Sequence, residues 1–100
     1  MKTTIQELDN QFVVSLEGEL DTAAALETQQ TLQPLYKSNG KDVLIECEKL
    51  EYISSSGLRL FLALLKVAKS KGSKVSISGM NDNLRQVFAM TGFTHLFEFI

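Results

Sequence analysis

Three consecutive hydroxyls, Ser54-Ser55-Ser56, stand directly before Gly57 and the leucine-rich run that opens at Leu58. The tract follows an apolar strand-like stretch that ends in Leu50-Glu51-Tyr52-Ile53, so it reads as the turn between a strand and a helix. Backbone N–H groups at a helix N-terminus lack intrahelical acceptors, and the helix dipole favours negative charge there. A serine in that place can take a phosphate without the helix melting. The same place suits a capping serine, whose hydroxyl accepts from the backbone two or three residues on. Spacing by itself favours the cap.

No other constellation competes with this tract. There is no Walker loop, no Gly-x-Ser-x-Gly elbow and no His/Cys cluster at metal spacing, which argues against an enzyme, a cofactor or a metal. Asp9, Glu19, Asp21 and Asp82 show no ligand spacing, and the single histidine, His95, reads as structural or exposed. A net charge of -2 leaves no electrostatic footprint for nucleic acid. The lone Cys47 sits in an apolar run with no intrachain partner, which points to a reducing compartment. Met1 to Glu7 lacks an apolar signal region, and the longest apolar run, Leu60 to Leu65, is too short to span a bilayer. A cytoplasmic protein is expected.

The chain has 100 residues, enough for one domain over residues 1–100 with a real core. Phe12, Val14 and Leu16 alternate with polar or smaller neighbours as in a half-buried strand, and Thr3 to Leu8 reads as a weaker strand joined to it through Asp9-Asn10-Gln11. Asp21 caps a helix starting near Thr22, Pro34 kinks or ends it, and Asn39-Gly40 closes the unit. Val43, Ile45 and Cys47 share one face of a third strand; a helix from Gly57 to Lys71 follows, stopped by Gly72. Val75 and Ile77 mark a fourth strand, and Leu84, Val87, Phe88 and Thr91 a helix capped by Asn81 or Asp82 and ended at Gly92. Leu96 to Ile100 is a short last strand. The order ββαβαβαβ is an α/β class with a mixed sheet: an N-terminal β-hairpin, then a parallel βα core with right-handed crossovers. If those crossovers all step one way, the helices lie mainly on one face, and the alternation in the strands supports that.

At about 100° per residue, the central helix puts Arg59, Lys66 and Ser70 on one narrow polar stripe. Its apolar residues cover more than half the circumference, more than one sheet face can bury. Flanking helices are the ordinary cover for the remainder. The functional reading is that Leu60 or Leu64 stays partly exposed as a docking patch.

Three tracts together resemble a known family. Gly18-Glu19-Leu20-Asp21, Ile53-Ser54-Ser55-Ser56-Gly57-Leu58 and Met90-Thr91-Gly92-Phe93 are similar, in register along the whole chain, to the STAS domain and most of all to its bacterial anti-sigma factor antagonist branch. The resemblance implies a protein that binds an anti-sigma factor, usually a serine kinase, while unmodified. It is released when that kinase phosphorylates it and is reset by a serine phosphatase. The family pattern Asp-Ser-Ser-Gly-Leu, set on Gly57-Leu58, makes Ser55 the acceptor. Ser54 stands where the family has Asp and is left as a competing acceptor. The partner surface implied is Asp21 with Ser54, Ser55, Ser56, Gly57 and Leu58. The residues themselves add Arg59, four residues after Ser55, which reads either as a partner for an added phosphate or as a solvated surface arginine. Asp21→Lys is then expected to weaken binding with the melting temperature nearly unchanged. Many members continue into a helix beyond the last strand, and contacts made by such a helix are not carried over. The resemblance also admits a second class, a constitutive adaptor of a lipid-transporting ABC ATPase or of a sensory complex, with no phosphate control.

Overall fold

A computed structural model describes residues 1–36 and 40–100. Five strands form one sheet in the order β1-β2-β3-β4-β5: Lys2–Glu7, Gln11–Leu20, Asp42–Ile53, Val75–Ser78 and Glu98–Phe99. The first pair is an antiparallel hairpin and every later pairing is parallel. Strand neighbours in sequence are therefore neighbours in the sheet, and all crossovers step the same way. Their helices land on one face, as the strand alternation predicts.

The register shows why. Phe12 pairs with Val43 and Val43 with Val75, while Val14, Ile45 and Ile77 form the next row. All six side chains are buried. They meet Ala24 and Ala25 of α1 (Thr22–Thr31), Leu60, Phe61, Leu64 and Leu65 of α3 (Ser55–Ser70), and Leu84 and Phe88 of α4 (Asp82–Met90) in one hydrophobic cluster. The opposite face carries Ser15, Glu46, Ser76 and Ser78, none of them buried. Ser15 donates to the Glu46 carboxylate at 2.7 Å across that open face.

Element ends follow the local chemistry, with two shifts from the expected bounds. The break at Pro34 is as predicted: α1 stops at Thr31, and a short α2 (Gln33–Tyr36) starts with proline in its first turn, where a missing N–H costs nothing. The central helix α3 begins at Ser55, two residues before the expected Gly57, because Ser54 takes the capping position. The last strand is shorter than Leu96–Ile100. Phe93–His95 forms a 3-10 turn after Gly92 (φ 78°), and the buried Phe97 turns into an aromatic cluster instead of the ladder. In the expected Asn39-Gly40 turn, Gly40 has φ 95°, and Asn39 lies outside the described residues.

Cys47 is buried on the inner face of β3. Burial, with the Glu48 carboxylate adding to it, pushes its thiol up to about 12 from an ordinary 9.0. The folded value lies above the unfolded one, so this group's contribution is full below pH 9.0 and is lost as pH rises toward about 12. Tyr36 shifts in the same direction through burial. We expect stability to fall through that window at up to about 1.4 kcal/mol per pH unit from the thiol, and less steeply in Cys47→Ala. Thermal scans at stepped pH compare the two slopes; parallel slopes would remove Cys47 from the account.

Candidate functional site

The carboxyl ends of β2 and β3 lie side by side, with Leu20 paired to Ile53. Each strand leads straight into a helix, so the N-termini of α1 and α3 emerge together at one edge of the sheet. Two register shifts prepare this edge, between Ser15 and Glu17 and between Gly18 and Glu19. At each, β3 inserts one extra residue against β2. A one-residue insertion flips the side chains beyond it to the other face. The inward residues of β3 therefore change from Val43, Ile45, Cys47 to Leu50 and then Ile53, all buried. Gly18, at the second shift, has φ 104°, a conformation that an L side chain resists.

Ser54 is the hinge of the site. Its Oγ accepts from the Gly57 N–H at 3.1 Å and donates to the Leu20 carbonyl at 2.9 Å. The Ser54 N–H donates to the same carbonyl at 2.9 Å. One serine thus caps α3 and ties it to the end of β2, and only 9% of it is exposed. An aspartate here would still cap, but its carboxylate could not donate to the Leu20 carbonyl, which would keep only the backbone N–H of residue 54. Gly57 completes the junction. A Cβ there would stand 2.8 Å from Ile53 Cγ1 and 2.9 Å from Leu20 Cγ and Cδ2, closer than packed carbons allow. The close seating of α3 on the strand ends requires glycine.

Ser55 is the first residue of α3 and is exposed; Ser56 is half-buried. Their N–H groups, the first two of the helix, have no acceptor within it. Leu58 is half-buried against the core and Arg59 is exposed. With α3 starting at Ser55, Arg59 lies in the second turn, where the dipole penalty on a cation has largely faded. Across the junction, Asp21 is exposed and its Oδ1 accepts from the Ala24 N–H at 2.8 Å, capping α1.

A family description, "Mlab, STAS domain", matches residues 3–98. The chain belongs to the STAS domain family. The anti-sigma-B factor antagonist of Staphylococcus aureus (strain NCTC 8325 / PS 47) is 30% identical over 96 residues, covering 96% of this chain and 87% of the relative. The unphosphorylated form of the anti-sigma factor antagonist SpoIIAA superposes with a TM-score of 0.79 at 17% identity, covering 99% of this chain and 87% of the other. The phosphorylated form of SpoIIAA, the Bacillus cell fate determinant, gives 0.78 at 18%, covering 99% and 91%.

In this STAS domain, Asp21, Ser55 and Arg59 expose their side chains at one edge, Ser56 and Leu58 partly so, and Ser54 and Gly57 are buried within the junction. Of the two readings of the central helix's apolar excess, cover by flanking helices holds and a docking patch at Leu60 or Leu64 does not. Both are buried, at 6% and 3% exposed, because α1 covers the side of α3 that the sheet leaves open. On α1, Leu26 is exposed instead, at 63%. Sequence reasoning missed it: α1 packs through Ala24, Ala25 and Thr28, so its only leucine points outward.

Asp21 also holds the fold. As the α1 cap it supports the fold, so Asp21→Lys costs about 1 kcal/mol and lowers the melting temperature by about 4–8 °C. Asp21→Asn keeps the cap and removes only the charge. We expect Asn to melt within about 2 °C of wild type and Lys well below it. Equal melting of the two by calorimetry would show that the cap contributes nothing.

Proposed function

We propose that this STAS domain, over residues 1–100, is an anti-sigma factor antagonist: a cytoplasmic binding protein, not an enzyme, that captures an anti-sigma factor with serine kinase activity. Phosphate on Ser55 releases the partner, and a serine phosphatase restores binding. Transcription is regulated indirectly, through the sigma factor freed. The observation that carries this reading is the division of labour among the serines. Ser54 spends its hydroxyl on two hydrogen bonds inside the fold, while Ser55 stands exposed at a helix N-terminus. A kinase must reach a free hydroxyl, and a helix N-terminus holds the added anion. The two SpoIIAA forms match this chain almost equally, which supports a phosphate that acts at the surface and leaves the fold in place.

A second reading keeps the same fold without phosphate control: a constitutive adaptor of a lipid-transporting ABC ATPase or of a sensory complex. Ser54 in place of the family aspartate favours it. Intact mass, with fragment mapping, after incubation with the anti-sigma kinase and ATP separates the two. The antagonist reading expects one phosphate on Ser55. A kinase that binds tightly and labels no serine would leave the adaptor, and label on Ser54 would move the acceptor.

A further inference from the structure

We propose that the groove between α1 and α3 seats a segment of the anti-sigma partner carrying an apolar side chain beside a carboxylate, and that phosphate on Ser55 ejects it by taking Arg59. The inference deepens the antagonist reading and rests on it. The groove encloses about 660 Å³ and runs from Thr22 and Ser56, at the two helix N-termini, along Leu26, Gln29 and Ala63. Its α1 wall turns Leu26 outward and its α3 wall exposes Ala63, so the floor is apolar and open. An exposed leucine alone means little. This one forms a continuous slot with the end of the helix that carries Ser55.

Charge specifies the occupant. Among the described residues, Arg59 is the one charged residue lining the groove. The acidic residues nearby, Glu19, Asp21 and Glu27, line a separate depression beside α1. On a protein of net charge -2, the slot is a local cationic point on an apolar floor. A partner side chain such as leucine or phenylalanine fills the floor, and an aspartate or glutamate next to it meets the guanidinium.

The same arginine lies one turn beyond Ser55. Residues four apart on a helix hold their Cβ atoms about 5–6 Å from each other, within reach of a guanidinium and a phosphate. Phosphate brings about -1.5 to -2 charge and three acceptor oxygens, against a single charge on the partner carboxylate. It is also tethered in place, whereas the partner must find the site by diffusion. Modification therefore withdraws the cation that the partner needs while adding an anion at the rim. Release follows from both.

The test installs phosphoserine at 55 during translation, so no kinase is needed, and measures affinity for the purified anti-sigma factor of the same organism. Leu26→Ser and Arg59→Gln should each weaken the unmodified complex about tenfold with the fold intact by circular dichroism. Phosphoserine should weaken binding about tenfold less in Arg59→Gln than in wild type, since the arginine it would capture is gone. Phosphorus NMR of the modified protein alone should place the second phosphate ionisation at lower pH in wild type than in Arg59→Gln, with Arg59→Lys between. Additive effects of phosphoserine and Arg59→Gln, or identical phosphate titrations, overturn the role of Arg59. Wild-type binding that Leu26→Ser leaves unchanged removes the groove. A wild-type protein that binds no anti-sigma factor sinks the antagonist reading and the groove with it.

Discussion

Ser55→Asp is expected to lower affinity for the anti-sigma partner about five- to tenfold while slightly raising thermal stability, and Ser55→Ala is expected to bind as wild type but resist release by ATP. The two effects of the aspartate have opposite signs for separate reasons. A carboxylate in the first turn of α3 complements the helix dipole and adds about 0.3–1 kcal/mol to the fold. At the docking surface the same charge must be desolvated and faces whatever acid the partner brings to Arg59. Aspartate has one charge and two acceptor oxygens, so it mimics phosphate only in part; phosphoserine at 55 should weaken binding by about a hundredfold or more. Titration calorimetry for affinity and scanning calorimetry for stability separate the outcomes. If affinity and melting temperature fall together, the substitution is damaging the fold. If affinity is unchanged in Ser55→Asp and with phosphoserine, Ser55 is outside the switch. Ser54→Ala is a poor control, because it removes both a helix cap and a buried donor to Leu20, a loss of about 1–2 kcal/mol.

The largest stability effect is expected at Phe88. It is fully buried, and its ring meets Phe61 at 5.5 Å, Phe97 and Phe99 at 5.9 Å and Phe93 at 6.1 Å between centroids, each edge to face. Those partners come from α3, β5 and the turn between α4 and β5, so one side chain ties three parts of the fold to α4. Removing it leaves a cavity bordered by rings that cannot all close in. Phe88→Ala should cost about 3–5 kcal/mol, a large share of the stability of a domain this size, and lower the melting temperature by about 12 °C or more. Phe88→Leu, which keeps most of the volume, should cost less than half as much. Urea titration of both variants checks this. A loss below about 1 kcal/mol for Ala would mean that the cluster relaxes around the gap.

Much of this protein was legible in its sequence, because the relevant physics is local. Alternation over Phe12 to Leu16 and Val43 to Cys47 marks strands with one buried face. Asp21 and Asn81 supply caps to the helices that follow, each accepting from the backbone N–H three residues on. Pro34 breaks the first helix and Gly72 ends the central one. The element order with right-handed crossovers then implies a sheet with helices on one face. The tract from Ser54 to Gly57 was visible as a helix N-terminus able to hold an anion.

What the tertiary structure decided lies where one strand or helix constrains another. Period-two reading continues Cys47 toward Lys49 on the inner face, whereas two insertions against β2 turn Leu50 and Ile53 inward and aim the serine turn. No local signal in β3 announces them; they exist because the two strands differ in length between shared ends. Leu60 and Leu64 are buried because α1 approaches closely through alanines, which also leaves Leu26 outside. The serines are alike in the sequence and become different only when the Leu20 carbonyl, 34 residues away in the chain, claims the hydroxyl of Ser54. That contact leaves Ser55 as the exposed hydroxyl beside Arg59, because a donor already spent inside the fold cannot also serve at its surface.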